Sequence, residues 1–128
     1  MCLPVNPYKI EREWKAFGLS CAVVMGWMHR CGYVRVPPSH PAFGKTYDEL
    51  DVSVHGGLTF SEIEPCTEHE DGQGYWVGFD CGHAGDAITN PEKQNFDFLE
   101  SMMRGHRWTQ KEVEAECERL AEQLAGMK

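Results

Sequence analysis

The sequence has no apolar run that approaches the roughly 20 residues of a membrane-spanning helix. Basic residues are scarce: 12 lysines and arginines stand against 20 acidic residues, and the net charge is -8. Because affinity for duplex nucleic acid comes largely from neutralising phosphates, this balance argues against such a partner. The first residues have neither the basic opening nor the apolar core of a signal peptide. We therefore expect a cytoplasmic protein with no membrane partner.

The familiar catalytic signatures are also missing. The chain has no Walker loop, no Gly-x-Ser-x-Gly nucleophile elbow and no His-Glu-x-x-His zinc helix. Its six cysteines include no Cys-x-x-Cys pair, and without an export signal we expect reduced thiols. A chain of 128 residues suits one domain, residues 1–128, with a core that needs no disulfides.

The most informative stretch runs from Tyr75 to Asp86. Its first half crowds aromatic and β-branched residues together, which predicts a strand. The strand breaks in a glycine-rich turn that carries Asp80, Cys81, His83 and Asp86. Carboxylates and imidazole together suit a divalent metal or general acid–base chemistry. The alternative is a tight turn in which the aspartates only cap backbone amides.

A second stretch, Val52–Ser61, alternates apolar and polar residues and predicts another strand. We expect His55 within this strand, followed by Gly56 and Gly57. A glycine pair makes a β-bulge or presents backbone amides to an anion. Thr59 adds a hydroxyl to the same segment.

The two stretches together predict one shared pocket. The catalytic candidates are His55, Asp80, His83 and Asp86. The ligand-binding candidates are Gly56, Gly57, Thr59, His40, Tyr33 and Trp76. A divalent metal is the expected cofactor, held by His55, His83 and Asp86, while Asp80 orients the ligand or acts as a base. A rival interpretation is a structural zinc held by Cys66, His69, Cys81 and His83, although the Cys-x-His spacing is tighter than in zinc fingers.

Other segments predict the scaffold. Leu19–Met25 and Arg30–Val36 predict a hairpin, and residues 10–17 predict a short helix. Prolines around His40 predict a rigid loop, and residues 62–74 predict a polar loop. A further helix is predicted over residues 92–104.

A final helix has the clearest signals. Thr109 and Glu112 form a capping-box pattern, and Gly126 supplies a stop. One apolar stripe is formed by Val113, Cys117, Leu120 and Leu124. We therefore predict an α+β fold: a small, mainly antiparallel sheet of about four or five strands with the C-terminal helix packed across it.

Three blocks of the sequence resemble the signature blocks of a family of small proteins encoded by tailed bacteriophages. They are Cys31–Pro41, Val54–Ser61 and Gly78–Asp86, and the segment Cys117–Ala121 resembles that family's ending. The resemblance implies a viral origin and the host cytoplasm, and it carries no activity with it. The expected function is that of an accessory protein which binds a small ligand, nucleotides among the candidates, and hydrolyses it with a metal. The alternative to an enzyme or binder is a non-enzymatic inhibitor of a host protein.

Overall fold

The computed structural model describes residues 3–5, 7, 9–26, 29–54, 57–65, 72–80 and 109–127. Five strands form one sheet: β1 Lys9–Ala16, β2 Leu19–Met25, β3 Arg30–Val36, β4 Phe60–Ile63 and β5 Tyr75–Asp80. Their order is β1-β2-β3-β5-β4, and every neighbouring pair is antiparallel. One helix, α1, runs over Gln110–Ala125. The predicted α+β fold is confirmed.

The helix predicted over residues 10–17 is wrong, because these residues form β1. The chain turns at Phe17 and Gly18 and pairs β1 with β2, so that Trp14 lies opposite Cys21. Trp14 and Ala16 face the core, while Lys15 between them is exposed. Both faces of an edge strand are partly exposed, so its pattern resembles that of an amphipathic helix.

The predicted hairpin of β2 and β3 is confirmed, and β3 is the central strand. Its side chains alternate between two buried clusters: Val34 and Val36 face one, Cys31 and Tyr33 the other. We call the first the helix face and the second the far face. Cys21 lies on the helix face, so it cannot bond with Cys31 across the sheet. The cysteines among the described residues, Cys21, Cys31 and Cys117, are free thiols.

Helix α1 covers the helix face. Its buried residues are Val113, Cys117, Leu120, Ala121 and Leu124, which contain the predicted stripe. The helix approaches closely over Gly32, where a Cβ would lie 2.5 Å from the Cys117 sulfur. Thr109 accepts from the Glu112 amide and Gly126 ends the helix, as predicted. In the described part of the chain, no helix is both long and apolar enough to cross a bilayer.

The far face has its own buried cluster of Ala22, Val24, Tyr33 and Trp76. Leu3, Val5, Cys31 and Phe60 pack against it and are partly buried. Trp76 therefore lies on the side opposite Tyr75, Val77 and Phe79, as alternation along β5 predicts.

The strand predicted over Val52–Ser61 is mostly wrong. Only Phe60 and Ser61 belong to β4, which then continues to Ile63 in the predicted polar loop. Upstream, Ser53 pairs with a side chain rather than a strand. The Gln123 amide donates to the Ser53 carbonyl at 2.9 Å and accepts from the Ser53 amide at 2.7 Å. This pairing ties residue 53 to α1 and satisfies its backbone without a ladder.

Candidate functional site

The two sequence segments predicted to share a site meet at one end of the sheet. Strand β5 ends at Asp80, and the antiparallel β4 begins beside it at Phe60, opposite Gly78. The Thr59 amide donates to the Gly78 carbonyl at 2.9 Å. Because β4 begins after the glycines, Gly57 and Thr59 precede the strand at the end where Asp80 follows β5. The described residues on either side of His55, 52–54 and 57–59, lie outside the strands, so the predicted strand is wrong for these residues.

At this end, Asp80 lies directly across from Cys31 in the β3–β5 ladder. Tyr33 is two residues further along β3 on the same face, close enough for its hydroxyl and the Cys31 thiol to influence each other's pKa. The Tyr33 ring meets the ring of Phe60 edge-to-face, with centroids 5.2 Å apart. We call the group of Cys31, Tyr33, Phe60 and Asp80 the Asp80 corner.

Gly78 makes this arrangement possible. It lies between Tyr33 and Phe60 in the row of paired residues. A Cβ there would collide with the Tyr33 ring and lie 2.7 Å from the Gly32 carbonyl oxygen. Without a side chain at Gly78, the Tyr33 ring crosses β5 to reach Phe60.

The electrostatics of the Asp80 corner favour binding over nucleophilic attack. Burial raises the pKa of the Cys31 thiol to about 11, and the Asp80 carboxylate raises it further in the same direction. Burial also raises the pKa of Tyr33, with Cys31 and Asp80 adding to the effect. Both groups therefore keep their protons at neutral pH. Cys31 lacks the lowered pKa of a catalytic thiol, and Tyr33 remains a hydrogen-bond donor.

Trp76 lies on the same face as the Asp80 corner, but it is only 1% exposed. Its indole N–H donates to Glu64 Oε2 at 3.2 Å. Trp76 is therefore a core residue next to the Asp80 corner, and its indole N–H already has a hydrogen-bond partner.

Sequence reasoning missed the ion pair that engages Trp76. Glu64 follows β4 and is 0% exposed, and its carboxylate accepts from the Arg35 guanidinium at distances between 2.9 and 3.2 Å. The Gly74 amide also donates to it. Burial opposes the charge of Glu64, but the hydrogen bonds from Arg35, Gly74 and Trp76 outweigh it and lower the pKa of the carboxyl. The available signal was Arg35 itself, since a charge on a buried strand face needs a partner.

His40 lies beyond the Val36 end of β3, whereas the Asp80 corner lies at the Cys31 end. The Ala42 amide donates to His40 Nδ1 at 3.0 Å, so Nε2 carries the proton and donates to the Leu124 carbonyl at 2.8 Å. The Leu124 carbonyl also accepts from the Met127 amide at 3.1 Å, so His40 is a second donor to the C-terminal end of α1. The structure does not bring it to the Asp80 corner.

Several predicted site residues lie outside the described residues. They are His55, Gly56, Cys66, His69, Cys81, His83 and Asp86, and the predicted helix over residues 92–104 lies there too. The metal set and the rival zinc set therefore stay predictions. Among the residues that the structure describes, no group of three or more His, Cys, Asp or Glu side chains is placed to hold a metal ion.

Comparison with known proteins adds no relative: no family model, no curated protein and no solved structure matches this chain.

Proposed function

We propose that the protein binds a small ligand at the Asp80 corner. One observation carries the proposal: Tyr33 and Asp80, each a predicted site residue, lie on the same face of neighbouring strands, and the Thr59 amide bonds to Gly78 between them. Asp80 is the last residue of β5, so the predicted site residues His83 and Asp86 follow it directly in the chain.

The chemistry of the corner favours a ring with hydrogen-bond donors. Asp80 is an acceptor once ionised, and Tyr33 remains a neutral donor because its pKa is raised. The partly buried Phe60 ring supplies an apolar wall for a planar group, and the buried Tyr33 ring supports it from within the sheet. A nucleobase or nucleoside combines these features, which agrees with the nucleotide-like ligand expected from the sequence.

Hydrolysis with a divalent metal is the second part of the proposal. His55, His83 and Asp86 hold the metal, and Asp80 orients the ligand or accepts a proton from water. A phage accessory protein with this activity removes a host signal, and one that only binds the ligand sequesters it. The binding part is independent of the metal and is tested first.

The binding test is titration calorimetry of the purified protein with adenosine, guanosine and their monophosphates, with and without Mn²⁺. We expect saturable binding of at least one compound. Asp80→Asn removes the charged acceptor and weakens binding about tenfold or more, whereas Tyr33→Phe removes a neutral donor and weakens it about two- to tenfold. Asp51→Asn is the matched control: it removes the same charge from an exposed residue outside the corner and leaves binding unchanged.

Binding that survives both corner variants contradicts the proposed site. The absence of binding to all four compounds contradicts the proposed ligand class. For the metal part, chromatography of each monophosphate after incubation with protein and Mn²⁺ shows whether product forms. His83→Ala abolishes product and retains binding if the metal set is correct.

A further inference from the structure

The two-residue turn between β1 and β2 has a phenylalanine, Phe17, at a position where such turns favour asparagine, aspartate or glycine. Phe17 and Gly18 both have positive φ angles, 54° and 79°. Two central residues with positive φ are typical of a type I′ hairpin turn, which favours asparagine, aspartate or glycine. A phenylalanine is strained in this conformation. Phe17 nevertheless occupies the first central position, and the residue is 55% exposed there, so burial in the core does not explain the choice.

The Phe17 ring borders an open depression of about 270 Å³ between the β1–β2 turn and α1. Its other lining residues are Glu118, Arg119 and Glu122, all exposed on the helix surface. The volume is below the roughly 300–1,000 Å³ of pockets that hold small molecules. It suits one side chain of a partner better than a small ligand. We call this surface the Phe17 depression.

The charges of the Phe17 depression favour a cation. Among the described residues, neither Glu118 nor Glu122 forms an ion pair. Arg119 also lines the depression, but its guanidinium is directed to other partners: it donates to the Ser53 hydroxyl at 3.0 Å and lies 3.5 Å from Glu116, so the two glutamates outnumber it. An aromatic face beside two carboxylates is the arrangement that attracts a guanidinium or ammonium group. The net charge of -8 also draws cationic partners towards the protein.

We propose that the Phe17 depression docks a basic segment of another protein, with an arginine side chain against the Phe17 ring and between Glu118 and Glu122. Arginine fits better than lysine because its planar group stacks on an aromatic ring and pairs with carboxylates in two directions. The depression is formed by the β1–β2 turn and α1, so this interaction is independent of the Asp80 corner. If the protein is a non-enzymatic inhibitor of a host protein, the Phe17 depression is the surface that binds the host protein, and the segment it binds is basic.

The test measures fluorescence anisotropy with a dye-labelled nonapeptide that contains three arginines separated by glycine and serine. Its counterpart replaces each arginine with citrulline, which has the same shape and no charge. The wild-type protein binds the arginine peptide and not the citrulline peptide. Phe17→Asn suits the turn and keeps the fold while removing the ring. Loss of one exposed cation–π contact weakens binding about two- to fivefold. Phe17→Leu, which keeps an apolar side chain without the aromatic face, weakens binding to a similar extent.

Two double variants separate a local contact from general charge. Glu118→Gln with Glu122→Gln weakens binding of the arginine peptide. The affinity that remains in this double variant depends less on salt concentration than that of the wild type. Glu62→Gln with Asp51→Asn removes the same total charge from exposed residues elsewhere and leaves affinity unchanged. Equal effects of the two double variants overturn the proposal, as does unchanged binding by both Phe17 variants. Sedimentation velocity tests whether a second copy of the chain occupies the surface instead. Self-association that Phe17→Asn abolishes, together with no binding of the arginine peptide, would assign the surface to a second copy and overturn the proposal.

Discussion

Arg35 reaches across β5 to pair with Glu64, and its guanidinium passes directly over Gly74. A Cβ at Gly74 would lie 2.5 Å from the Arg35 Cζ atom, so glycine leaves the path open. Glu64 has no exposed surface, and it accepts from Arg35, Trp76 and the Gly74 amide. A buried charge with this many donors stabilises the fold only while all of them are present.

Glu64→Gln is therefore expected to destabilise the protein strongly. The substitution leaves the Arg35 guanidinium buried without its counter-charge, which costs about 3–5 kcal/mol of the free energy of unfolding. Urea denaturation measures the loss. Glu62→Gln is the matched control, because Glu62 is exposed two residues earlier on the same chain segment, and it should shift the midpoint little. Equal midpoints for the two variants would contradict the buried pair.

The Arg35–Glu64 pair also predicts how stability depends on pH. The pKa of Glu64 is lowered in the fold from an ordinary value of 4.5, chiefly because hydrogen bonds outweigh the opposing effect of burial. A lowered folded pKa means that the stabilisation is complete above the unfolded value and is lost as pH falls through the folded pKa. The stability difference between wild type and Glu64→Gln should hold steady near neutral pH and narrow below about pH 4.5.

Urea denaturation of both proteins at several acidic pH values measures this narrowing. Hydrogen bonds from the Thr46 side chain and backbone also lower the pKa of Glu49. That effect is common to both proteins and cancels in the difference. A constant difference down to the acid limit would mean that Glu64 does not carry the charge.

Gly78→Ala is expected to displace the Tyr33 ring and so disturb the Asp80 corner. The added methyl group meets the Tyr33 ring and the Gly32 backbone, and overpacking of this kind costs about 1–3 kcal/mol. Thermal unfolding and the near-ultraviolet signal of the tyrosine both report the change. Gly126→Ala is the control, since its Cβ would meet only ordinary contacts at 3.6 Å and its φ of -81° suits alanine. A Gly78→Ala protein as stable as the control would place the Tyr33 ring elsewhere.

The thiol of Cys31 should report directly on Asp80. The pKa of Cys31 is raised to about 11 by burial and then by the Asp80 charge, so Asp80→Asn lowers that pKa and increases the thiolate fraction at any given pH. Alkylation of Cys31 should become several-fold faster in the variant. Peptide mass spectrometry after timed alkylation resolves each cysteine.

Cys21 is the internal control for this experiment. Burial raises its pKa to about 11 as well, but Asp80 is not among the causes. Its alkylation rate should be the same in both proteins. Acceleration of both thiols would point to a loosened fold, and acceleration of neither would contradict the placement of Asp80 beside Cys31.

The sequence predicts the elements that have one clear pattern. Local sequence predicts three features correctly: the α1 stripe with its caps, the β2–β3 hairpin and the alternation along β5. Each of these depends on neighbours within a few residues. Local sequence predicts β1 wrongly, since Ile10, Trp14 and Phe17 follow a helical spacing. The segment is a strand because it pairs with β2. β4 was misplaced because its partner strand, rather than its composition, decides where pairing begins.

The candidate site divides in the same way. Tyr33, Thr59 and Asp80 are predicted from residue type and local pattern; in the structure Tyr33 and Asp80 share one face of the sheet, and the Thr59 amide bonds to Gly78. The Arg35–Glu64 pair was missed because its members are 29 residues apart and meet only across β5. His40 was selected because prolines surround it, yet its partner is the Leu124 carbonyl, 84 residues away. Contacts at such separations depend on topology, which local patterns do not encode.

Arg35 has one more partner, the Gly72 carbonyl, to which its guanidinium donates at 3.0 Å. A single side chain of the central strand therefore anchors the chain both before and after residues 66–71. The Glu64 amide also donates to the Gly74 carbonyl at 3.0 Å, so the two anchored ends are joined to each other. We expect an insertion between Pro65 and Gly72 to leave the register of β4 and β5 unchanged, because a longer connection between two anchored ends adds little free-energy cost.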